Sequence, residues 1–458
     1  METNKSEFIT QPSQTKATTA NTSNTSNSNS SRTSVDQNET GSSLALQASK
    51  WLVRKGLSAM GKPEIFVTLP DGATIYVTEE QPKNGMTIRN RKAMWRFMTN
   101  PRLYFGEEFA AGNIQISGDL VEFIKASLRN RQQFHEKNGI DRAISRVRRF
   151  RQRHNSLTYA RSNIHHHYDV GNDFFKLWLD KDMVYTCAYF PTPEASLEQA
   201  QFAKLDYICR KLRLQPGETV VEAGCGWGAL ALHMAKYYGV RVKAFNISHQ
   251  QILEARNRAK LMGLQDQVEF IEDDYRNISG KFDALVSVGM LEHVGRSYYR
   301  EFSEVIDGCL TERGRGLIHS IGQNEGDPTD PWTNKHIFPG ADLPTLGEMM
   351  GVLEPTGFTI LDVENIGLHY AKTLQHWLER FDSHEAEIRD MYDDYFVRTW
   401  RLYLAGAMVN FILGDMVLYQ VAFTRPSNND IPLTRAYLYS DNEDKDRDDK
   451  ALKRATFT

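Results

Sequence analysis

Three glycines in alternate positions follow a short apolar run near the middle of the chain. The segment Val220–Gly228 has the sequence VVEAGCGWG, with Glu222 ahead of Gly224, Gly226 and Gly228. Because glycine has no Cβ, such a loop lets the main chain approach a ligand closely. The spacing is not the G-x-G-x-x-G pattern that binds a pyrophosphate, and no Gly-Lys-Ser/Thr follows as in a Walker loop. The segment therefore predicts a ligand-binding loop, with a tight strand-to-helix turn as the structural alternative.

Histidine and cysteine, which often bind metals, are not spaced for a metal site. His165, His166 and His167 are adjacent, so their side chains cannot easily converge on one ion, and no second pair at i, i+4 accompanies them. The four cysteines are Cys187, Cys209, Cys225 and Cys309. They contain no CxxC pair and are too few for a disulfide framework. We therefore predict no metal site and a reducing, cytosolic environment.

The glycine loop belongs to a longer pattern that is typical of α/β proteins. The sequence TVVEAGCGWGALALHMAKYYGVRVKAFNIS contains a strand, the loop, a helix and a second strand, which together make a βαβ unit. Short apolar runs alternate with helical stretches from about residue 162 to residue 425. We predict an α/β fold with a mostly parallel, doubly wound sheet, whose ligands bind where the strands end.

Residues 44–130 predict a smaller α+β domain ahead of this sheet. They begin with a helical pattern, and two β-rich runs then flank Pro70-Asp71-Gly72, as in a hairpin. A helix broken at Asn100-Pro101 and another helix after Gly118-Asp119 complete the region. Its size is that of a lipid-binding module.

Three further segments are predicted to lie outside these domains. Residues 1–43 include an Asn/Ser/Thr-rich stretch with too little apolar surface for a core, and residues 431–458 are densely charged, so both are predicted tails. Residues 131–161 form a predicted basic helical linker with six arginines in DRAISRVRRFRQR. Such a helix either joins two domains in solvent or contacts anionic lipid, at about 1 kcal/mol per basic residue.

Composition narrows the class of protein. The chain has 458 residues, 40% of them hydrophobic and 25% charged, as in soluble globular proteins. With a net charge of -3, the protein has no overall positive field that would attract nucleic acid. The longest charge-free apolar stretch, Leu402–Gly414, is shorter than the roughly 20 residues of a membrane span, and the N-terminus has no apolar signal segment. We expect a cytoplasmic protein that meets the inner face of the membrane only peripherally.

From the glycine loop onward, the chain resembles the class I S-adenosylmethionine (SAM)-dependent methyltransferases. Their glycine loop lies against SAM, so the resemblance implies SAM as cofactor and a Rossmann-like catalytic domain over residues 162–430. Those enzymes usually end the second strand with an acid that holds the ribose, whereas Asn246, Ser248 and Gln251 occupy this region here. Tyr275 is expected to stack on the adenine. The implied SAM-binding residues are Tyr185, Thr186, Glu222, Gly224, Gly226, Gly228, Asn246, Ser248, Gln251, Tyr275 and Arg276.

Five separated segments resemble one narrower family, the cyclopropane fatty acid synthases and the related mycolic acid methyltransferases. They are HHHYDVGNDFFKLWLD, MVYTCAYF, VEAGCGWG with NISHQQ, FDALVSVGMLEHVG, and LIHSIG with DPWTNKHIFPG and IGLHYAKTLQHWLERF. The resemblance covers roughly residues 162–425, and residues 44–130 look like the N-terminal domain of longer members. It implies transfer of a methylene group from SAM to the cis double bond of an unsaturated acyl chain in a membrane phospholipid.

In that family a bound bicarbonate accepts the proton that is lost on ring closure. The residues that bind bicarbonate in that family correspond here to Cys187, Glu292, His319, Ile321 and Tyr370. A thiol, an imidazole, a phenol and a main-chain N–H can donate hydrogen bonds to an anion, and a carboxylate can accept the bicarbonate hydroxyl. Taken singly, each of these residues is more often structural. Together they predict a bicarbonate site.

Other interpretations of the sequence stay open. The same carbocation can give a methyl- or methylene-branched chain, and the same fold can carry a small-molecule N- or C-methyltransferase. A catalytically silent lipid-binding protein is the alternative from a different class. The segment Asp330–Phe338 is either a gate of the acyl channel or a plain surface loop. The resemblance also suggests a homodimer.

Overall fold

The computed structural model describes residues 36–129, 170–326 and 329–439, with the main chain alone for residues 36–46. The predicted linker, residues 131–161, and the three adjacent histidines lie outside the described residues. The chain divides into two compact units, one up to Leu52 and one from Val53 onward. Helix α1 (Asp36–Ala59) begins before the predicted start near Leu44. A helix satisfies its main-chain groups locally, so a polar composition does not prevent it.

The N-terminal part of the second unit is a small mixed sheet with three helices. Its strands have the order β2-β1-β3-β4, with β1 parallel to β3 and the other pairs antiparallel. The predicted hairpin is confirmed, because β1 and β2 are antiparallel across a turn in which Gly72 has a φ of +83°. The elements are β1 (Phe66–Thr68), β2 (Thr74–Ile75), β3 (Gly85–Ile88), α2 (Arg91–Thr99), α3 (Pro101–Ala110), β4 (Ile114–Ser117) and α4 (Leu120–Leu128).

The rest of the unit is built on a seven-stranded sheet of order β10-β11-β9-β8-β5-β6-β7. Strand β11 is antiparallel to both of its neighbours, and the other strands run parallel. The strands are β5 (Thr219–Ala223), β6 (Arg241–Asn246), β7 (Val268–Glu272), β8 (Phe282–Val288), β9 (Leu310–Gln323), β10 (Thr359–Asn365) and β11 (Met416–Thr424). The prediction of a mostly parallel, doubly wound sheet is therefore confirmed.

Helices connect these strands and cover the sheet. They are α5 (Asn172–Trp178), α6 (Leu197–Leu212), α7 (Ala229–Tyr238), α8 (His249–Leu261), α9 (Leu291–Val294), α10 (Tyr299–Cys309), α11 (Pro331–His336), α12 (Leu346–Leu353), α13 (Gly367–Ser383), α14 (Glu385–Met391) and α15 (Asp394–Leu413). Strand β5 pairs with β6 on one side and with β8 on the other, so the connections diverge there. Such a switch point opens a crevice at the carboxyl ends of the strands, where α/β proteins bind ligands.

One hydrophobic core contains residues of the small N-terminal sheet region together with residues of α5, α13 and α15. Helices α3 and α4 pack on α15, and the Nε of Arg398 donates to the carbonyl of Ala110 at 2.7 Å. Glu107 on α3 accepts a hydrogen bond from Lys335 on α11 at 2.6 Å. The segment that begins at Asp330 was predicted to be either a gate of the acyl channel or a surface loop. The side chain of Asp330 caps α11 by accepting hydrogen bonds from the N–H groups of Trp332 and Thr333. This segment is therefore a helix held against α3.

The C-terminal boundary differs from the predicted one at residue 430. Residues as far as Tyr439 pack on α6, since Leu438 is only 3% exposed and its carbonyl accepts from Arg210 at 3.3 Å. The hydroxyl groups of Tyr439 and Tyr207 lie 3.5 Å apart. The dense run of charges begins only at Asp441, so the apolar and aromatic residues just before it still find partners.

Candidate active site

Glu292 lies on the short helix α9, just after the end of β8. Its Oε1 accepts a hydrogen bond from the main-chain N–H of Ile321 at 2.6 Å. Its Oε2 is buried and has no hydrogen-bond partner among the described residues. Burial raises the pKa of Glu292 to about 7, although hydrogen bonds from its own main-chain N–H, from that of Ile321 and from the side chain of Ser320 oppose this shift. One carboxylate oxygen is thus fixed and the other is available to a ligand.

His319 lies in β9, directly opposite Gln420 of β11. Its Nδ1 is 3.1 Å from the amide nitrogen of Gln420, and its Nε2 has no partner among the described residues. Burial lowers the pKa of His319 well below its usual value, so the imidazole is neutral. With the Gln420 amide donating to Nδ1, the ring proton lies on Nε2. His319 then presents an N–H donor in a buried site.

Cys187 lies beside the N-terminal end of α13, the helix that carries Tyr370. Its Sγ is 3.9 Å from the carbonyl of Ile366, and the next residue, Ala188, donates its N–H to Thr373 of α13 at 3.0 Å. Burial raises the pKa of the Cys187 thiol, so it stays protonated. A protonated thiol is a weak hydrogen-bond donor and a poor nucleophile.

A series of main-chain contacts connects the segments that carry four of the predicted residues. We treat these four, Cys187, Glu292, His319 and Tyr370, as one candidate site and call it the polar pocket. The N–H of Ile366 donates to Leu418 at 2.9 Å, and Leu418 lies opposite Ile321 in the β9–β11 pair. Ile321 itself was predicted to give its N–H to an anion, but that N–H is bound to Glu292. Its observed contribution is to orient the carboxylate.

The glycine loop is tied to the neighbouring strand through its main chain. The N–H groups of Gly224 and Cys225 both donate to the carbonyl of Phe245, at 2.9 and 3.0 Å. Gly226 and Gly228 have φ values of +53° and +82°. A Cβ at Gly228 would lie 2.5 Å from Phe270, whereas a Cβ at Gly226 would meet nothing within 4 Å. Gly228 therefore permits packing inside the protein, and Gly226 leaves open space beside the loop.

Neutral amide groups lie next to this loop, where the second strand ends. The amide nitrogen of Asn246 donates to Gln251 at 2.7 Å and to the carbonyl of Gly226 at 3.2 Å. The side-chain oxygen of Asn246 accepts from the N–H of Ser248 at 3.3 Å. We call the loop from Glu222 to Gly228, together with Asn246, Ser248 and Gln251, the glycine-loop cluster.

Glu222 contributes a second buried carboxylate with an unpaired oxygen. Its Oε2 has no hydrogen-bond partner among the described residues, and burial raises the pKa of Glu222 to about 8. The described residues supply no polar partner for this oxygen, and Gly226 leaves room beside the loop. The residues present therefore fit a nucleoside cofactor with donor groups.

Tyr185 and Thr186 directly precede Cys187, so these two predicted cofactor residues adjoin the polar pocket along the chain. The hydroxyl of Tyr185 lies 2.9 Å from that of Tyr403. The hydroxyl of Thr186 accepts a hydrogen bond from Lys204 at 2.8 Å. Both predicted cofactor residues therefore lie beside the first residue of the polar pocket.

Tyr275 and Arg276 make their contacts within the protein. The ring of Tyr275 is buried and packs edge-on against Phe302, with 5.2 Å between the ring centroids. The guanidinium of Arg276 lies 4.9 Å from the same ring and forms salt bridges with Asp274 and Glu301. Their contact with the adenine stays a prediction.

Two residues of this region were missed by sequence reasoning. Gln420 is a polar residue in the apolar strand MVLYQVAFT, and this interruption was a signal for a buried polar role. Lys204 occupies the apolar face of α6, four residues before Ile208, and is one of the largest fully buried side chains. No motif marks either residue, because their importance depends on what they contact.

The seven-stranded sheet with its glycine loop at the switch point has the fold of the class I SAM-dependent methyltransferases. Residues 155–421 match the family described as mycolic acid cyclopropane synthetase, and residues 52–139 match a domain of unknown function. A probable fatty acid methyltransferase of Pseudomonas putida is 35% identical over 75% of this chain and 88% of its own length. The cyclopropane-fatty-acyl-phospholipid synthase of Escherichia coli K12 is 38% identical over 68% of this chain and 79% of its own.

Solved structures show the same relationship. The cyclopropane synthase MmaA2 from Mycobacterium tuberculosis matches with a TM-score of 0.56 and 29% identity, over 59% of this chain and 100% of its own. The mycolic acid cyclopropane synthase CmaA1, complexed with SAH and CTAB, matches with a TM-score of 0.55 and 28% identity, over 58% of this chain and 98% of its own. The chain belongs to the mycolic acid cyclopropane synthetase family. It is an enzyme that uses SAM as its methyl donor, in a family that modifies lipids, and the family resemblance is confirmed.

Proposed function

We propose that the protein transfers a methylene group from SAM to the cis double bond of an unsaturated phospholipid acyl chain and forms a cyclopropane ring, with bicarbonate as the base. One observation carries this proposal. A neutral His319 with an unpaired Nε2–H and a Glu292 with an unpaired Oε2 are buried at the carboxyl ends of adjacent strands. An unpaired buried donor and acceptor are costly unless a ligand satisfies both. Bicarbonate has the acceptor oxygens and the hydroxyl that such a pair requires.

SAM, when bound, supplies an electrophilic methyl group to a weakly nucleophilic alkene. The bond between the SAM sulfur and its methyl group would break as a carbon–carbon bond forms to one alkene carbon, which would leave S-adenosylhomocysteine and a cation at the other alkene carbon. The ring closes when the new methyl group loses a proton, so the chain gains one CH2 in total. Aromatic side chains around the polar pocket exclude water that would otherwise capture the cation as an alcohol. Tyr370 packs against Phe411 and Trp377, with ring centroids 4.7 and 5.9 Å apart.

Bicarbonate, when bound, supplies a general base for the departing proton. His319 donates through Nε2–H, and Cys187 and Tyr370 donate through the thiol and the hydroxyl. Glu292 accepts the bicarbonate hydroxyl through Oε2, while Ile321 holds the other carboxylate oxygen. The chain's own residues thus orient the base and need not accept the proton themselves.

A second product class is supported by one relative. The Pseudomonas putida protein that aligns with 75% of this chain is named a probable fatty acid methyltransferase. The same cation, after a hydride shift and loss of a different proton, gives a methyl- or methylene-branched chain. Methyl transfer to a small-molecule amine leaves no cation on carbon and needs no such base, so a complete polar pocket counts against it.

We propose peripheral contact with the inner face of the membrane. Within residues 36–129, 170–326 and 329–439, no helix combines the length and the apolar character of a membrane span. Helix α2 displays Trp95, 53% exposed, near exposed Arg91 and Lys92. Tryptophan prefers the bilayer interface, and basic residues attract anionic lipid. The arginine-rich segment 141–153 supports the same proposal by its sequence.

The test is a product analysis with vesicles of cis-monounsaturated phospholipid, SAM and bicarbonate. Mass spectrometry detects the added CH2, and proton NMR separates upfield ring protons from vinylidene or branched-methyl signals. We expect ring protons and a rate that falls when bicarbonate is removed. Vinylidene or methyl signals would support the branched-chain alternative, and an unmodified lipid would refute the phospholipid substrate. Vesicle binding that is the same at low and high salt would refute an electrostatic membrane contact.

A further inference from the structure

Lys204 is a buried lysine beside the polar pocket. It lies on α6 and is only 1% exposed. Its Nζ donates a hydrogen bond to the hydroxyl of Thr186 at 2.8 Å, and Thr186 is bonded covalently to Cys187. Gln201, one turn earlier on the same helix, donates to the carbonyl of Thr186 at 2.9 Å. Helix α6 therefore holds the segment that carries Cys187 through two side chains.

The charge of Lys204 is not matched by a salt bridge within the part of the chain that the structure describes. Its hydrogen bond goes to a neutral hydroxyl, while it interacts electrostatically with Asp180, Cys187 and Glu222. Its positive charge also disfavours protonation of His319. Lys204 thus acts on both the glycine-loop cluster and the polar pocket.

Lys211, seven residues later on the same helix, is a useful contrast. Its side chain is also buried, and its charge also reaches His319. However, Nζ of Lys211 lies 2.6 Å from Glu364 and 3.6 Å from Asp362, so two carboxylates balance it. Of these two buried lysines, Lys204 is the one with no carboxylate within salt-bridge distance among the described residues.

We propose that Lys204 is a positioning residue that stabilises the bicarbonate in the polar pocket through its charge, with Thr186 fixing the ammonium group. This inference rests on the proposed function. A buried anion needs a nearby opposite charge, because neutral donors alone do not offset the loss of its hydration. The polar pocket supplies neutral donors and a carboxylate, whereas Lys204 supplies the cation.

The experiment measures bicarbonate binding apart from turnover. The unfolding temperature of the complex with S-adenosylhomocysteine is followed while bicarbonate is added, since a ligand of the native state raises it. Calorimetry gives the affinity for S-adenosylhomocysteine. Lys204→Gln keeps a donor for Thr186 without the charge, and Lys204→Arg keeps the charge. Lys211→Gln is the matched control on the same helix.

We expect Lys204→Gln to raise the half-saturating bicarbonate concentration at least about tenfold, with cofactor affinity changed less than about threefold. Lys204→Arg and Lys211→Gln should stay within about threefold of the wild type. A wild-type response to bicarbonate in Lys204→Gln would overturn the inference about Lys204, and so would an equal rise of the half-saturating concentration in Lys211→Gln. Neither result would affect the proposed function. A wild type that does not respond to bicarbonate would instead refute the bicarbonate part of the proposed function.

A second variant keeps the test decisive if Lys204→Gln does not fold. Thr186→Val removes the hydroxyl that fixes the ammonium group and leaves the charge in place. We expect the half-saturating bicarbonate concentration to rise about threefold, since the cation is less well positioned. An unchanged value in a folded Thr186→Val protein would show that this hydroxyl does not position the charge.

Discussion

The polar pocket and the glycine-loop cluster lie at the same edge of one sheet but differ in how their polar groups are paired. In the glycine-loop cluster, Asn246 bonds both Gln251 and the main chain of Gly226, although Glu222 keeps one unpaired oxygen. In the polar pocket, His319 and Glu292 each use one polar atom on a protein partner and leave the other unpaired. The first region is shaped largely by main-chain conformation, and the second by side chains that are each half satisfied.

This difference indicates what each region contributes. A glycine loop fixes where a cofactor lies, because backbone geometry limits how closely it can approach. Half-satisfied buried side chains are held by their first partner and present the second atom to a ligand, which is a preorganised arrangement. Changes in the polar pocket should therefore affect turnover, and changes in the glycine loop should affect cofactor binding or folding.

The largest expected effect is on turnover in Glu292→Gln. The amide oxygen can still accept from Ile321, but the charge and one acceptor are lost, so turnover should fall by about two to three orders of magnitude. Calorimetry should show cofactor affinity within about threefold of the wild type. Glu269→Gln, at an exposed carboxylate on β7, is the control and should be fully active. A large loss of cofactor binding in Glu292→Gln would remove the contrast between the two regions.

The substitutions Gly226→Ala and Gly228→Ala should affect different properties, the first cofactor binding and the second stability. At Gly226 the new methyl group enters the open space beside the loop and should weaken cofactor binding about ten- to hundredfold, with little loss of stability. At Gly228 it would overlap Phe270, so the free energy of unfolding should fall by roughly 2–4 kcal/mol. Thermal unfolding and calorimetry on both variants separate the two outcomes. Equal affinity in Gly226→Ala and the wild type would place the cofactor elsewhere.

The smallest expected effect is a pH dependence that reports on the polar pocket. Because burial raises the pKa of Glu292 to about 7, the carboxyl is protonated below that pH and ionised above it. At a fixed bicarbonate concentration, kcat/KM should therefore rise as the pH increases through about 7. His319 should add no limb near its usual pKa, since burial keeps it neutral. The residual activity of Glu292→Gln should lack this rise of kcat/KM. If the rise persists in that variant, it reports the titration of another group.

Much of the fold could be predicted because short sequence patterns determine many of its elements. The hairpin at Gly72, the βαβ unit around Gly224 and the break at Asn100-Pro101 all depend on residues close together in sequence. The ends of the chain were predicted less well. A helix begins at Asp36, because main-chain hydrogen bonds form locally even in a polar segment. Packing on α6 continues to Tyr439, because such contacts depend on distant partners that composition does not reveal.

The sequence by itself determined the strand–loop–helix unit, the family and the candidate residues, since spacing and residue type are local properties. Only the tertiary structure decided how those residues are used. It bound the N–H of Ile321 to Glu292, paired His319 with Gln420 and buried Lys204 beside Cys187. These assignments depend on strand register and helix packing, which bring together residues up to a hundred or more positions apart. Burial then shifts the pKa values of Glu292 and His319, because removing water penalises the charged form of each of these two groups.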